Sequence, residues 1–243
     1  MSASTASHDT GCLLCGDELL YDAHQAELPC ELCGRHMPST ARCPRGHFVC
    51  DACHGVSGRD LIERRCATTD EIDPIALATE LMRSPTVSMH GPEHHFLVPA
   101  VLLATYDNVH GLAPRRARDV AEARRRADRV PGGFCGTHGN CGAAVGSGIF
   151  WSVATGATPL TEASWAQSNV MTARSLLRIA EHGGPRCCKR DTYHALLESL
   201  RELERLQPEI RWPQPRLPVC EHSHRNRQCL GERCVFHPPG STK

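Results

Sequence analysis

Apolar residues recur at three- and four-residue intervals through most of the chain beyond residue 70, the repeat of an amphipathic helix. Asp73-Pro74 opens the first such stretch, 74–83, with Asp73 as N-cap and Pro74 at the first helical position. A second runs over 93–109 and carries Leu97, Val98, Val101 and Leu102 on one side. The stretch 114–130 reads as a third helix, broken by Pro131-Gly132-Gly133. Residues 142–155 are rich in Gly, Ala and Ser, which suits a buried helix in close backbone contact. Over 162–182 the repeat is Trp165, Val170, Ala173, Leu176, Leu177 and Ala180, stopping at Gly183-Gly184-Pro185. Over 191–206 it is Leu196, Leu197, Leu200 and Leu203. Strand-like alternation is not sustained outside residues 11–66. The expected fold is mainly α: a small module over 11–66, an all-α domain over 70–210, and a tail over 211–243 that begins with the proline-rich linker RWPQPRLP. Residues 1–10 are small and polar, and disorder is expected there.

Composition adds compartment and excludes some partners. Lys+Arg and Asp+Glu both number 27, so no net field points to nucleic acid or a membrane surface. Seven arginines against three acids over 114–130 read as a solvated helix face, with an anion dock as the sharper alternative. No apolar run approaches the ~18–20 residues of a membrane span. The segment MSASTASHDTGC has no basic or apolar leader region, so a cytoplasmic protein with reduced thiols is expected.

The chemistry lies in the 15 cysteines and 15 histidines, which are clustered. The first module reads Cys12-x2-Cys15, Cys30-x2-Cys33, Cys43-x3-His47, Cys50-x2-Cys53. A Cys-x2-Cys turn points two sulfurs into one corner of a tetrahedron, so structural zinc is expected. Cys30/Cys33 and Cys50/Cys53 are separated by sixteen residues, a usual spacing for a four-thiolate site. Two arrangements stay open. One is a treble-clef-like, cross-braced module in which Cys12, Cys15, Cys43 and His47 fill an interleaved second site; the other pairs the ligands sequentially. No Cys-x-His step of the RING pattern is present. His54 and Cys66 are read as bystanders.

Three segments of the middle domain could form a reaction centre. They are Met89-His90-Gly91-Pro92-Glu93-His94-His95, the run GFCGTHGNCGAAVGSG with Cys135, His138 and Cys141 among six glycines, and GGPRCCKRDTY with Cys187, Cys188 and Arg190. Cys141 and Cys187 border helix starts, where the positive dipole end favours an anion. The tail adds Cys220-x8-Cys229-x4-Cys234-x2-His237, close to a three-Cys, one-His finger, with His222 and His224 as spare donors. It reads as a third metal site, or as a strand of chain that folds back and gives its cysteines to the middle domain.

The runs CELCGRHMPSTARCPRGHFVCDACH, MHGPEHHFLVPA and GFCGTHGNCGAAVGSGIFW together resemble a prokaryotic domain-of-unknown-function family. Its members sometimes carry a fused methyltransferase domain, of which no strand–Gly-rich-turn pattern occurs here, and it implies no activity. Locally, Asn140-Cys141-Gly-Ala-Ala-Val-Gly-Ser-Gly followed by Cys187 is similar to the iron–sulfur L-serine dehydratase α-chain. That likeness implies a [4Fe–4S] cluster on Cys141 and Cys187, with Cys188 or Cys135 as third ligand and one open iron. The functional expectation is a lyase or sulfur-handling enzyme on a small polar substrate. His90, His94 or His138 would be acid/base and Arg190 would hold a carboxylate. The alternative is a non-enzymatic zinc-finger adaptor for protein or RNA.

Overall fold

The computed structural model describes residues 12–14, 17–50, 53, 57–214 and 216–240. Cys15, His54 and the expected disordered residues 1–10 lie outside them. About half of the chain is helical and the sheet has two strands, so the fold is mainly α.

The head is organised by one antiparallel hairpin, β1 (Leu20–Pro29) and β2 (His36–Arg42). Leu20 pairs with Arg42 at one end and Pro29 with His36 at the other. At ~3.3 Å per residue the two ends are well apart. The metal-type knuckles cap these ends. Gly34 and Gly46 each take positive φ (69° and 85°), and their N–H groups close back on the carbonyls of Cys30 and Cys43. That conformation favours glycine over any residue with a Cβ.

Eight helices follow among the described residues: α1 (Gly58–Thr68), α2 (Pro74–Arg83), α3 (Glu93–Val109), α4 (Ala113–Ala127), α5 (Phe134–Thr137), α6 (Gly142–Thr155), α7 (Ala163–Glu181) and α8 (Cys188–Leu206). Ser57 and Asp60 form a reciprocal capping box at α1, and Asp73 accepts from the Ile75 and Ala76 amides at α2. The helix start expected at the Cys50/Cys53 pair falls partly outside the described residues. None of the helices is long and apolar enough to cross a membrane.

α3 is the centre of the fold and is buried from Phe96 to Asp107. α6 crosses it so closely that a Cβ on Gly146 would sit 2.8 Å from Pro99 Cδ, and one on Gly142 would strike the His95 ring. The small residues expected to permit close helix contact do so here. α7 differs from expectation. Trp165, Val170 and Leu177, taken as part of an inward stripe, are exposed, while Met171, Ser175 and Ile179 face the core. The reason is the partner surface: α6 offers Ser147 and Gly148, which accept small side chains such as Ser175, whose hydroxyl donates to Ser147 Oγ at 2.9 Å.

The arginine-rich α4 is satisfied internally. Arg115 pairs with Asp107 and Asp119, Arg124 with Asp60 and Glu63, and Arg125 and Arg126 with Glu122. Arg116 bonds Asn108 and the Ala67 carbonyl. These pairs consume the positive field that an anion dock would need. The proline-rich segment is no free linker either, because Trp212 is buried against Tyr106 on α3 and His110 just after it.

Candidate metal centres and thiol cleft

The described cysteines include free thiols at Cys30, Cys33, Cys50, Cys53, Cys66 and the seven positions from Cys135 to Cys234. In the head they gather into two clusters whose ligand atoms lie within 4.8 Å of one another: Cys30, Cys33, Cys50 and Cys53, and Cys12, Cys43 and His47. Either cluster could hold a metal ion. The pairing is interleaved, which excludes the sequential arrangement. The hairpin is the cause: β1 carries the chain from the Cys12 end to the Cys30 end, and β2 returns it to Cys43. The Cys33 and Cys50 sulfurs are 3.8 Å apart, and His47 Nδ1 is 3.7 Å from both Cys12 and Cys43. Cys15, expected as the fourth donor of that second set, is outside the described residues.

The surroundings favour negative sulfur. The Cys50 N–H donates to Cys30 Sγ, the Arg45 N–H to Cys43 Sγ, and Arg64 of α1 to Cys53 Sγ at 3.1 Å. The Arg35 side chain and amide beside Cys33 lower that thiol to about 6. Burial and the crowding sulfurs of Cys50 and Cys33 push Cys53 up to about 12. Four sulfurs so close cannot all ionise unless a cation neutralises them. Cys66, read as a bystander, is fully buried in α1 and its thiol is raised by desolvation.

In the helical domain, the four cysteines expected at one centre do not line one site: Cys135 and Cys141 line a cleft, and Cys187 lines a separate cavity. A cleft of about 490 Å³ is lined by Cys135, Cys141, Asp191, Arg186 and Arg190, with Leu176 and Ile179 as its apolar wall. Cys141 is the N-cap of α6, where the Ala143 and Ala144 amides point at its sulfur. Its thiol lies 3.9 Å from Asp191 Oδ2. Burial and that carboxylate push Cys141 up to about 12, and burial likewise raises Asp191. Cys188, on the first turn of α8, feels Cys135 and Cys141, and burial raises its thiol too. Neither Cys141 nor Cys188 is thereby an activated nucleophile, which needs a lowered thiol pKa.

Cys187, one residue away, turns to the other side. It lines a cavity of about 20 Å³ with Cys220, Cys229, Cys234, His222 and His237 of the tail. The tail therefore folds back onto the helical domain. Its ends are joined by the Cys220 N–H to the Phe236 carbonyl at 2.7 Å, and Phe236 packs between Tyr193 and His194.

The acid/base candidates sit elsewhere. His94 is 1% exposed, donates from Nε2 to the Ser88 carbonyl and accepts at Nδ1 from Thr192 Oγ1, both at 3.0 Å. Burial lowers it to about 3, so it is a neutral packing group. His90 bonds Asn226 of the tail at 3.3 Å. His138 is exposed, stacks on Phe134 and does not line the cleft. Arg190 is committed to Asp191 and the Gly183 and Pro185 carbonyls, and so shapes the cleft wall. Reading from sequence missed Asp191. The signal was its place four residues after Cys187, in the first turn of α8.

These features define a helical Cys/His domain with a thiol-lined cleft and a head able to hold metal. The chain belongs to the family described as "Family of unknown function (DUF5714)", which matches residues 62–237. That span takes in most of α1, the remaining helices and the tail, and leaves both head clusters outside it. No curated protein and no solved structure matches the chain.

Proposed function

We propose that this chain is a metal-dependent enzyme for a small polar substrate, stapled at its head by structural zinc. Thiolate and imidazole in a closed four-donor set suit zinc, and the ~3.8 Å sulfur separation around a Zn–S bond of ~2.3 Å matches the Cys33–Cys50 distance of 3.8 Å. A closed shell leaves no position for a substrate, so the head's part is structural.

The observation that carries the enzymatic reading is the cleft, where Cys135 and Cys141 meet Asp191, Arg186 and Arg190. Cys135 and Cys141, which line the cleft, and Cys188 near them would hold a thiophilic ion or a [4Fe–4S] cluster. Such a centre with one open position supplies Lewis acidity toward a hydroxyl, thiol or carboxylate. The chain's own groups do the rest. Arg186 offers a guanidinium to a carboxylate, Leu176 and Ile179 exclude water, and Asp191 holds or releases the proton of an elimination or sulfur transfer. Asp191 replaces the histidines in this role because they do not line the cleft.

A metal-free chain titrated anaerobically with Co2+ tests this through the thiolate-to-cobalt charge-transfer absorption. The wild-type chain binds Co2+ beyond the head's two sites, and Cys141→Ala lowers the total by one with the head unaffected. Identical titrations of the two would refute the cleft as a metal centre. The adaptor reading draws support from the hairpin, which leaves Leu20, Tyr21 and Met37 exposed. It predicts the same saturation at the head alone.

A further inference from the structure

The tail ends in a cluster that the cleft does not need. Cys187 is the N-cap of α8, and Cys220, Cys229 and Cys234 come from a tail looped over it, so four thiols from two separate parts of the chain face one cavity. The His222 ring lines the same cavity at 3% exposure, and its Nε2 is buried without a hydrogen-bond partner. A buried ring nitrogen left unsatisfied is costly unless something in the cavity answers it.

The backbone is arranged as it is around the head's thiols. The His222 N–H donates to Cys220 Sγ and the Gly231 N–H to Cys229 Sγ, both at 3.4 Å, as the Arg45 N–H does to Cys43 at the same distance. The Arg190 amide points at Cys187. Lys189 adds positive charge beside Cys187 and Cys220 while its Nζ is held by the Met82 and Val87 carbonyls. Donors aimed at sulfur, a nearby cation and an apolar rim of Met89, Tyr193 and Phe236 are what four thiolates around a metal require.

We propose that Cys187, Cys220, Cys229 and Cys234 form a third thiolate metal centre that latches the tail to the start of α8. Its occupant is a thiophilic one, either a zinc ion or an iron–sulfur cluster. The head's donors converge to within 4.8 Å, and the tail set is not among the groups that do. On this assignment the adjacent cysteines serve different centres, Cys187 the latch and Cys188 the cleft.

The test uses the full chain, loaded anaerobically with Zn2+ alone or with Fe2+ and sulfide. Hydrogen exchange over 216–240 is compared among wild type, Cys187→Ser, Cys229→Ser and the neighbouring Cys188→Ser. Loaded wild type and Cys188→Ser should protect the tail about tenfold or more beyond Cys187→Ser and Cys229→Ser, since binding to the folded form adds directly to its stability. Retention of the head's metal and of helical circular dichroism shows that each variant is folded. Iron with acid-labile sulfide lost from Cys187→Ser and Cys229→Ser identifies a cluster; zinc lost in the same pattern identifies a single ion; either supports the latch. Three results overturn it: protection that is unchanged in Cys187→Ser, equal loss in Cys188→Ser, or no protection from either loading. Cys141→Ala separates the two sites, because it removes the cleft's metal and leaves the tail protected.

Discussion

Replacing Cys50 by Ser unfolds the head and leaves the helical domain standing. Residues 12–53 make a unit of roughly forty residues, a size at which a protein seldom folds without metal or disulfide support. Its strands are exposed along nearly their whole length, and among the described residues its buried apolar side chains are Leu14, Leu32 and Val49 beside the cysteines. Binding of structural zinc is worth about 10–16 kcal/mol in isolated fingers, far more than those few side chains supply. Cys50 is 2% exposed at the centre of the four-thiol set, so its loss removes a ligand and leaves Cys30, Cys33 and Cys53 crowded without full compensation. Amide exchange over 20–42 should rise to the unfolded rate in Cys50→Ser or after chelation, while exchange over α3 and α6 stays slow. A hairpin that remained protected without metal would show that packing against α1 and α2 holds the head.

The second large effect is in acid. His94 and His194 are both fully enclosed, and burial lowers each to about 3. The His194 ring lies tilted against His182, centroids 3.9 Å apart, and against Phe236 at 4.7 Å, and neither of its nitrogens has a hydrogen-bond partner. Folded chains keep both rings neutral, whereas unfolded chains protonate them near pH 6.5. Stability from these groups is therefore complete above about pH 7 and falls as pH drops toward 3. The slope is about 1.4 kcal/mol per pH unit for each ring, or about 2 kcal/mol each at pH 5. Thiolate–metal bonds also fail in acid, so the diagnostic is a difference between two chains. His194→Phe keeps the aromatic contacts and removes one proton site. Denaturant midpoints from pH 8 to pH 5 should fall less steeply for it than for the wild type. Parallel slopes would mean that the ring takes up its proton without unfolding.

The helical domain was legible because its periods are long and its stops are marked. Pro74, Gly183 and the 142–155 small-residue run placed α2, the end of α7 and α6 where the structure has them. Which face of α7 turned inward was not legible. Hydrophobicity argued for Trp165 and Leu177, but the facing surface of α6 is built from Gly148 and Ser147 and takes Ser175 instead. In the head, Cys-x2-Cys is a local signal, so the donors could be read. Their pairing depends on a hairpin with exposed strands and no hydrophobic alternation to set its register, so both arrangements survived until the fold was known. The same limit hid the division of Cys187 from Cys188. Adjacent residues at a helix start point apart, and only the returning tail shows which side each one serves. Buried histidines misled for a related reason: His94 sits in a histidine-rich run, yet its ring is consumed by Ser88 and Thr192.

On the proposed assignment the cysteines divide between a zinc-stapled head and separate thiolate centres in the helical domain and tail. The most direct measurement is a metal and acid-labile sulfide inventory of the anaerobically purified full chain beside Cys50→Ser, Cys141→Ala and Cys229→Ser. The predicted result is two zinc ions per chain dependent on the head, as its two clusters require, plus further metal that Cys141→Ala and Cys229→Ser each reduce without touching those two. A wild-type chain holding two zinc ions and nothing else, with both variants unchanged, would contradict it.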